Sequence, residues 1–192
     1  YGPTTTPWPS GLTMLRRLTI RSRARVELSV SDVTNLTVEQ PVVLQSGAVL
    51  TLNSGVTLTV LNASGFDLEV QSGATFNLES GSTLAADRVR VFGGIVNARR
   101  DWSFANGSDF ELSGNGTLSV LNNKTFSIGS FTTSNFVSGT VNVSAGSRLD
   151  IGENAATIGG TGGNLTLIKD GSFGATDTIA SLTVASGGLV TH

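Results

Sequence analysis

Apolar and polar residues alternate along most of this chain. Short runs such as LTVEQPVVL, FDLEV, DRVRVF, TLSVL, TVNVS, NLTLI and SLTVAS all have a period of two. Successive side chains of a strand point to opposite faces, so this period predicts half-buried β-strands. Helical spacing is not sustained anywhere. The longest run predicts one extended strand. Leu18, Ile20, Ser22, Ala24, Val26, Leu28 and Val30 fall on one face, and Thr19, Arg21, Arg23, Arg25 and Glu27 on the other. Before it, residues 1–11 hold Pro3, Pro7 and Pro9 around Trp8. Proline fixes φ and cannot donate to a sheet ladder, which predicts an extended arm over residues 1–15.

The alternation is itself repeated. Residues 43–58 align with residues 69–84 at an offset of 26, with nine of sixteen positions identical. A Ser-Gly pair interrupts each copy twice, as Ser46-Gly47 and Ser54-Gly55, then as Ser72-Gly73 and Ser80-Gly81. Glycine there supplies a corner with φ > 0 or a close approach between turns. One short coil cannot bury its own apolar face, whereas stacked coils can. The expected fold is therefore all-β: a parallel β-helix or β-solenoid over residues 16–192, with Gly-rich turns. At ~20–26 residues per coil and ~4.8 Å per paired strand, it would have roughly seven or eight coils and a length of about 35–40 Å. An antiparallel β-sandwich with Gly-rich turns is the alternative. The segment GGIVNARRDWSFANGSDF, from Gly93 to Phe110, breaks the rhythm and is expected to be a loop or an inserted hairpin.

The phrases SGAVLTLNSGVTLTV and SGATFNLESGSTL resemble the passenger domains of autotransporter-type adhesins and related right-handed β-helices of bacterial surfaces and phage fibres. The resemblance covers residues 42–84 well and 110–190 loosely. It implies an extracellular parallel β-helix that projects, adheres or assembles, and it transfers no catalytic residue.

Composition narrows the chemistry. Of the 192 residues 39% are hydrophobic and only 14% charged, with a net charge of −2 and 24 glycines. That is a folded chain whose polarity comes from hydroxyls and amides rather than charges. There is no cysteine and a single histidine, His192, so thiol nucleophiles, Ser-His-Asp triads and most zinc sites are excluded. No apolar run approaches a membrane span, and the first residues lack the charged start and apolar stretch of a signal peptide. The start at Tyr1 suggests a processed product or a fragment.

Carboxylate pairs are the remaining catalytic option, because glycan-cleaving enzymes use two acids across a groove. Asp67 with Glu69 and Asp109 with Glu111 each share a strand face. An acidic, aromatic groove around Asp101, Trp102, Asp109 and Glu111 would contact a glycan. A solvated strand face shows the same spacing, so no enzyme activity, cofactor or metal is expected. Oxygen ligands for calcium exist at Asp67, Asp101, Asp109, Asp150 and Asp170, but the nonapeptide calcium repeat is missing. Five of the twelve Lys and Arg residues, Arg16, Arg17, Arg21, Arg23 and Arg25, lie within ten positions. An arginine row could grip carboxylate or phosphate on a polysaccharide or neighbouring subunit. It could equally blunt a sheet edge by like-charge repulsion. The rest of the chain is too acidic for nucleic acid. The leading expectation is a structural or adhesive solenoid at a cell or virion surface, forming a homo-oligomer or homopolymer through Trp8 and Arg21, Arg23 and Arg25. A glycan-binding or glycan-cleaving tailspike-like module and a passive stalk are the alternatives.

Overall fold

The computed structural model describes Trp8, Pro9 and residues 11–104 and 108–128, with strand segments and some adjoining positions between 133 and 191. The strands, in chain order, are β1 (Met14–Leu15), β2 (Leu18–Ile20), β3 (Arg25–Leu28), β4 (Asn35–Val38), β5 (Val42–Leu44), β6 (Val49–Leu52), β7 (Thr57–Val60) and β8 (Leu68–Val70). They continue as β9 (Thr75–Leu78), β10 (Thr83–Ala85), β11 (Arg88–Phe92), β12 (Ile95–Ala98), β13 (Trp102–Phe104), β14 (Asp109–Ser113), β15 (Gly116–Val120) and β16 (Thr125–Ile128). The last are β17 (Thr133–Phe136), β18 (Gly139–Val143), β19 (Arg148–Asp150), β20 (Ala155–Ile158), β21 (Asn164–Lys169), β22 (Ser181–Val184) and β23 (Leu189–Thr191). No helix occurs among the described residues.

Consecutive strands never pair with one another. Each pairs in parallel with its counterpart one coil away, which makes the fold a β-solenoid and excludes the antiparallel sandwich. The first face is an eight-stranded sheet, β2-β5-β8-β11-β14-β17-β20-β22. The second face is another, β3-β6-β9-β12-β15-β18-β21-β23. The third face comes in two pieces, β1-β4-β7-β10 and β13-β16-β19, with no ladder joining β10 to β13. From β2 to β16 the chain makes about five turns.

The sequence repeat is the strand register. Val43 sits opposite Glu69, Val49 opposite Thr75 and Thr57 opposite Thr83, all at the repeat offset of 26 that also separates Thr51 from Asn77. The two Ser-Gly pairs of each copy are the two corners that flank a second-face strand. Gly47, Gly55, Gly73 and Gly81 have φ between 72° and 81°, where an L side chain is disfavoured.

Inward positions stack like on like. Leu50 lies between Val26 and Phe76, Leu44 between Ile20 and Val70, and Leu58 between Leu36 and Leu84. Most of these side chains are fully buried and form one continuous core. Outward positions on the second face form a polar ladder instead. Asn77 donates to Thr51 at 3.1 Å, Asn97 to Asn77 at 2.8 Å and Asn53 to Glu27 at 2.8 Å.

Three expectations about the path of the chain are corrected. The extended strand over residues 18–30 is two strands with a turn at Ser22 and Arg23, because β2 ends at Ile20 and β3 begins at Arg25. Alternation continued through the corner and hid it. Within residues 93–110 the described positions, 93–104 and 108–110, are not an inserted loop or hairpin, since β12, β13 and β14 each pair with the neighbouring coils of the solenoid. What changes is coil length. On the second face Arg25 faces Val49, Val49 faces Thr75, Thr75 faces Ile95 and Ile95 faces Thr117, so the coils lengthen, then contract sharply and then partly recover. The contraction is read directly from the polar ladder, where Thr51 and Asn77 are 26 apart in sequence but Asn77 and Asn97 only 20. Met14 and Leu15, expected within the N-terminal arm, form strand β1 instead and pair with Thr37 and Val38.

Candidate functional site

The predicted glycan groove does not assemble. Trp102 is 4% exposed and points inward. Its ring packs against Phe104, Phe110 and Phe126 at centroid distances of 4.9, 6.3 and 5.3 Å, tilted or edge-on. It is therefore part of the core of the shortened coils, not a stacking platform for sugars. Asp109 and Glu111 lie on first-face strand β14, whereas Asp101 precedes third-face strand β13. Glu111 is engaged: Arg90 Nε donates to its Oε1 at 2.9 Å and Ser113 Oγ at 2.5 Å.

Arg90 is a structural tie that sequence reasoning missed. It stands in register between Glu69 and Glu111, one coil to either side. Its guanidinium lies 4.8 Å from the Phe92 ring centroid and 5.4 Å from that of Phe66. Arg99 pairs with Glu79 at 2.6 Å, and Arg88 lies 3.8 Å from Asp67. Arg99 and Glu79 are 20 apart in sequence, and Arg90 and Glu111 are 21 apart. Only a search for repeats shorter than the obvious one would have aligned these partners.

Asp67 and Glu69 do not present two carboxylates on one open face. Asp67 is buried, and its Oδ2 accepts the backbone N–H groups of Asp87 at 2.7 Å and Arg88 at 3.0 Å. It thereby straps the start of β11 to the preceding coil. Burial raises its pKa above the ordinary 3.8, and outweighs the lowering by those two N–H donors and by the Arg88 guanidinium. Asp67, Asp101 and Asp109 do not gather around a common point, and no group of three acid or histidine side chains suited to a metal occurs among the described residues. Asp170 and His192 lie outside the described residues, as does the side chain of Asp150.

The first coil is different. Among the described residues β1, β2 and β3 each pair with a strand on one side only. Arg16, Arg17, Arg21, Arg23 and Arg25 are all exposed around it. Arg17 donates to Gln40 at 3.1 Å, but none of the five joins an ion pair among the described residues. Arg23 has φ 64°, in the left-handed region. It occupies the corner that Gly47 and Gly73 fill in the next two coils, and Gly47 stacks directly against it. Trp8, expected to reach outward, instead folds back. Its Nε1 donates to Leu12 O at 3.1 Å and its ring packs on the protein's own core.

A second polar feature lies where the third face breaks. Ser80, Gly81, Ser82, Thr83, Arg100, Asp101 and Lys124 line an open depression of about 230 Å³. Arg100 is pinned there: its Nη1 donates to Thr83 Oγ1 at 2.9 Å and its Nε to Asp101 O at 2.8 Å. Asp101 Oδ1 accepts the Thr125 N–H at 2.8 Å. Sequence reasoning flagged Asp101 alone, because its neighbours come from three successive coils.

Comparison with protein-family models, with curated proteins and with solved structures finds no match to this chain.

Proposed function

We propose that this chain is a structural or adhesive β-solenoid of a cell or virion surface, of the kind found in adhesins and appendage fibres. In this reading it works as a non-catalytic rod that docks through its arginine-rich first coil. The observation that carries it is the exposed first coil, where among the described residues the strands pair on one side only and the arginines have no carboxylate partner. Interior arginines at positions 88, 90 and 99 are matched by acids in adjacent coils. Arg23 sharpens the argument. A non-glycine residue in the left-handed region costs about 1–2 kcal/mol, and such strain is often kept at working sites. The partner would carry carboxylate or phosphate groups, on another subunit or a surface polysaccharide.

Light scattering across protein and salt concentration, with electron microscopy of the same samples, tests this. Oligomers or filaments that dissolve at high salt and in an Arg21→Ser/Arg23→Gly/Arg25→Ser variant are expected for self-assembly. A monomer that binds an anionic polysaccharide through the same three residues supports the adhesive form. A monomer indifferent to both, with the variant unchanged, would overturn docking at this end.

A further inference from the structure

The depression on the third face has a chemistry of its own, independent of how the rod assembles. Its origin is geometric. The spacing between stacked positions drops from 26 between Thr51 and Asn77 to 20 between Asn77 and Asn97, on strands β6, β9 and β12. On the third face the ladder is interrupted between β10 and β13. The interruption leaves the corner of one coil, Ser80 to Thr83, facing Arg100 and Asp101 of the next and Lys124 of the one after.

Two cations and one carboxylate meet there among hydroxyl groups. Neither Arg100 nor Lys124 forms an ion pair among the described residues. Arg100 is held by uncharged partners, so its orientation is set without an ion pair among the described residues. The Asp101 carboxylate is fixed through Oδ1 by the Thr125 N–H. A phosphate or sulfate would meet the cations but be repelled by Asp101. A neutral sugar would leave the cations without a counter-charge. A ligand with both a carboxylate and neighbouring hydroxyls satisfies every group: its carboxylate against Arg100 and Lys124, a hydroxyl donating to Asp101, and others bonding Ser80 and Thr83. The volume lies below the ~300–1,000 Å³ of drug-sized pockets and suits one sugar ring.

We propose that this break in the third face is a binding subsite for an acidic sugar, a hexuronate presented alone or within a polysaccharide. The site binds without chemistry, since its one acid already holds a backbone N–H and no second carboxylate lines it among the described residues.

Calorimetric titration of the intact chain with glucuronate, oligogalacturonate, a neutral galactose oligomer and inorganic phosphate tests this. Either uronate should bind and the neutral oligomer and phosphate should not. A tighter fit to the oligomer would mean that the site follows a polymer, and equal affinity per sugar that it takes a single ring. Arg100→Gln and Lys124→Gln should each weaken uronate binding about tenfold. Arg21→Ser, remote from the depression, should not, which separates this site from docking at the first coil. Asp101→Asn, which can still accept the Thr125 N–H, should narrow the preference for uronate over phosphate. Absence of uronate binding by the folded wild-type protein would overturn the proposal. So would phosphate binding as tightly as uronate, or equal binding by wild type and the Arg100→Gln/Lys124→Gln double variant, checked for integrity by thermal melting.

Discussion

The first coil and the coils between β5 and β12 are built on one plan and finish it differently. In the interior coils every strand of the first two faces has a neighbour on both sides, β6 and β9 are flanked on both sides by corners that include glycine, and Arg88, Arg90 and Arg99 each meet an acid from an adjacent coil. In the first coil the described strands pair on one side only, Arg23 stands where glycine recurs, and the arginines are exposed. The contrast teaches that stacking satisfies residues in pairs of coils. An outward charge is neutralised only if the coil above or below supplies its opposite. Among the described residues the first coil has a stacked neighbour on one side only, and its arginines meet no acid there.

The largest expected effect lies in the shared core. Phe76 is fully buried between Leu50 and Val96. Phe76→Ala should cost about 3–5 kcal/mol in urea unfolding, whereas Ile20→Ala, with a stacked neighbour on one side only, should fall near the lower end of the ~2–5 kcal/mol range. Equal losses would break the distinction between terminal and interior coils.

The corner comparison can be exchanged in both directions. Gly47→Ala should destabilise by about 1–2 kcal/mol, because φ is 75° there although a Cβ has room, with its nearest neighbour at 3.6 Å. Arg23→Gly should relieve the same strain, and thermal melting should show opposite shifts. A loss of stability in Arg23→Gly would mean that the arginine side chain contributes more to the folded coil than its conformation costs.

Asp67 marks the interior through pH. Its folded-state pKa is raised, so the native chain holds a proton that the unfolded chain releases between the ordinary 3.8 and the higher native value. Stability attributable to this residue therefore falls as pH rises through that window, then stays lower above it. Asp67→Asn keeps an acceptor for the Asp87 and Arg88 N–H groups without the charge. The difference in unfolding free energy between Asp67→Asn and wild type should grow with pH across the window. A pH-independent difference would show that burial is not what governs this group.

The smallest effect on stability is expected at the first coil. Arg21→Ser and Arg25→Ser remove exposed charges with no ionic partner among the described residues, and should leave the melting temperature nearly unchanged while altering salt-dependent association. Arg90→Ala, by contrast, removes a guanidinium placed between two acids and two rings, and should lower the melting temperature. Equal tolerance at Arg21 and Arg90 would erase the contrast between end and middle.

Much of the architecture was legible before any coordinates. The offset of 26 between residues 43–58 and 69–84 is the register itself, and the Ser-Gly pairs are the corners, because a solenoid stacks each position on its own copy. Period-two alternation identified the buried set for the same reason. Other features were hidden by the same signals. Alternation ran unbroken through Ser22 and Arg23, so a corner read as a strand and a ring of arginines read as a row. Trp102 near Asp101 looked like a sugar platform because spacing does not tell which face of a strand points inward when the coil length has just changed.

The amino-acid sequence alone therefore determined the class of fold, the repeat length of the central coils and the absence of thiol or internal imidazole chemistry, because these depend on local pattern and residue inventory. Tertiary structure alone decided where the coils contract, which arginines find acids, and that Ser80–Thr83, Arg100, Asp101 and Lys124 meet. The physical reason is that these depend on the relative register of successive coils. That register is set by how side chains from several coils fill one interior, and no single stretch of sequence encodes it.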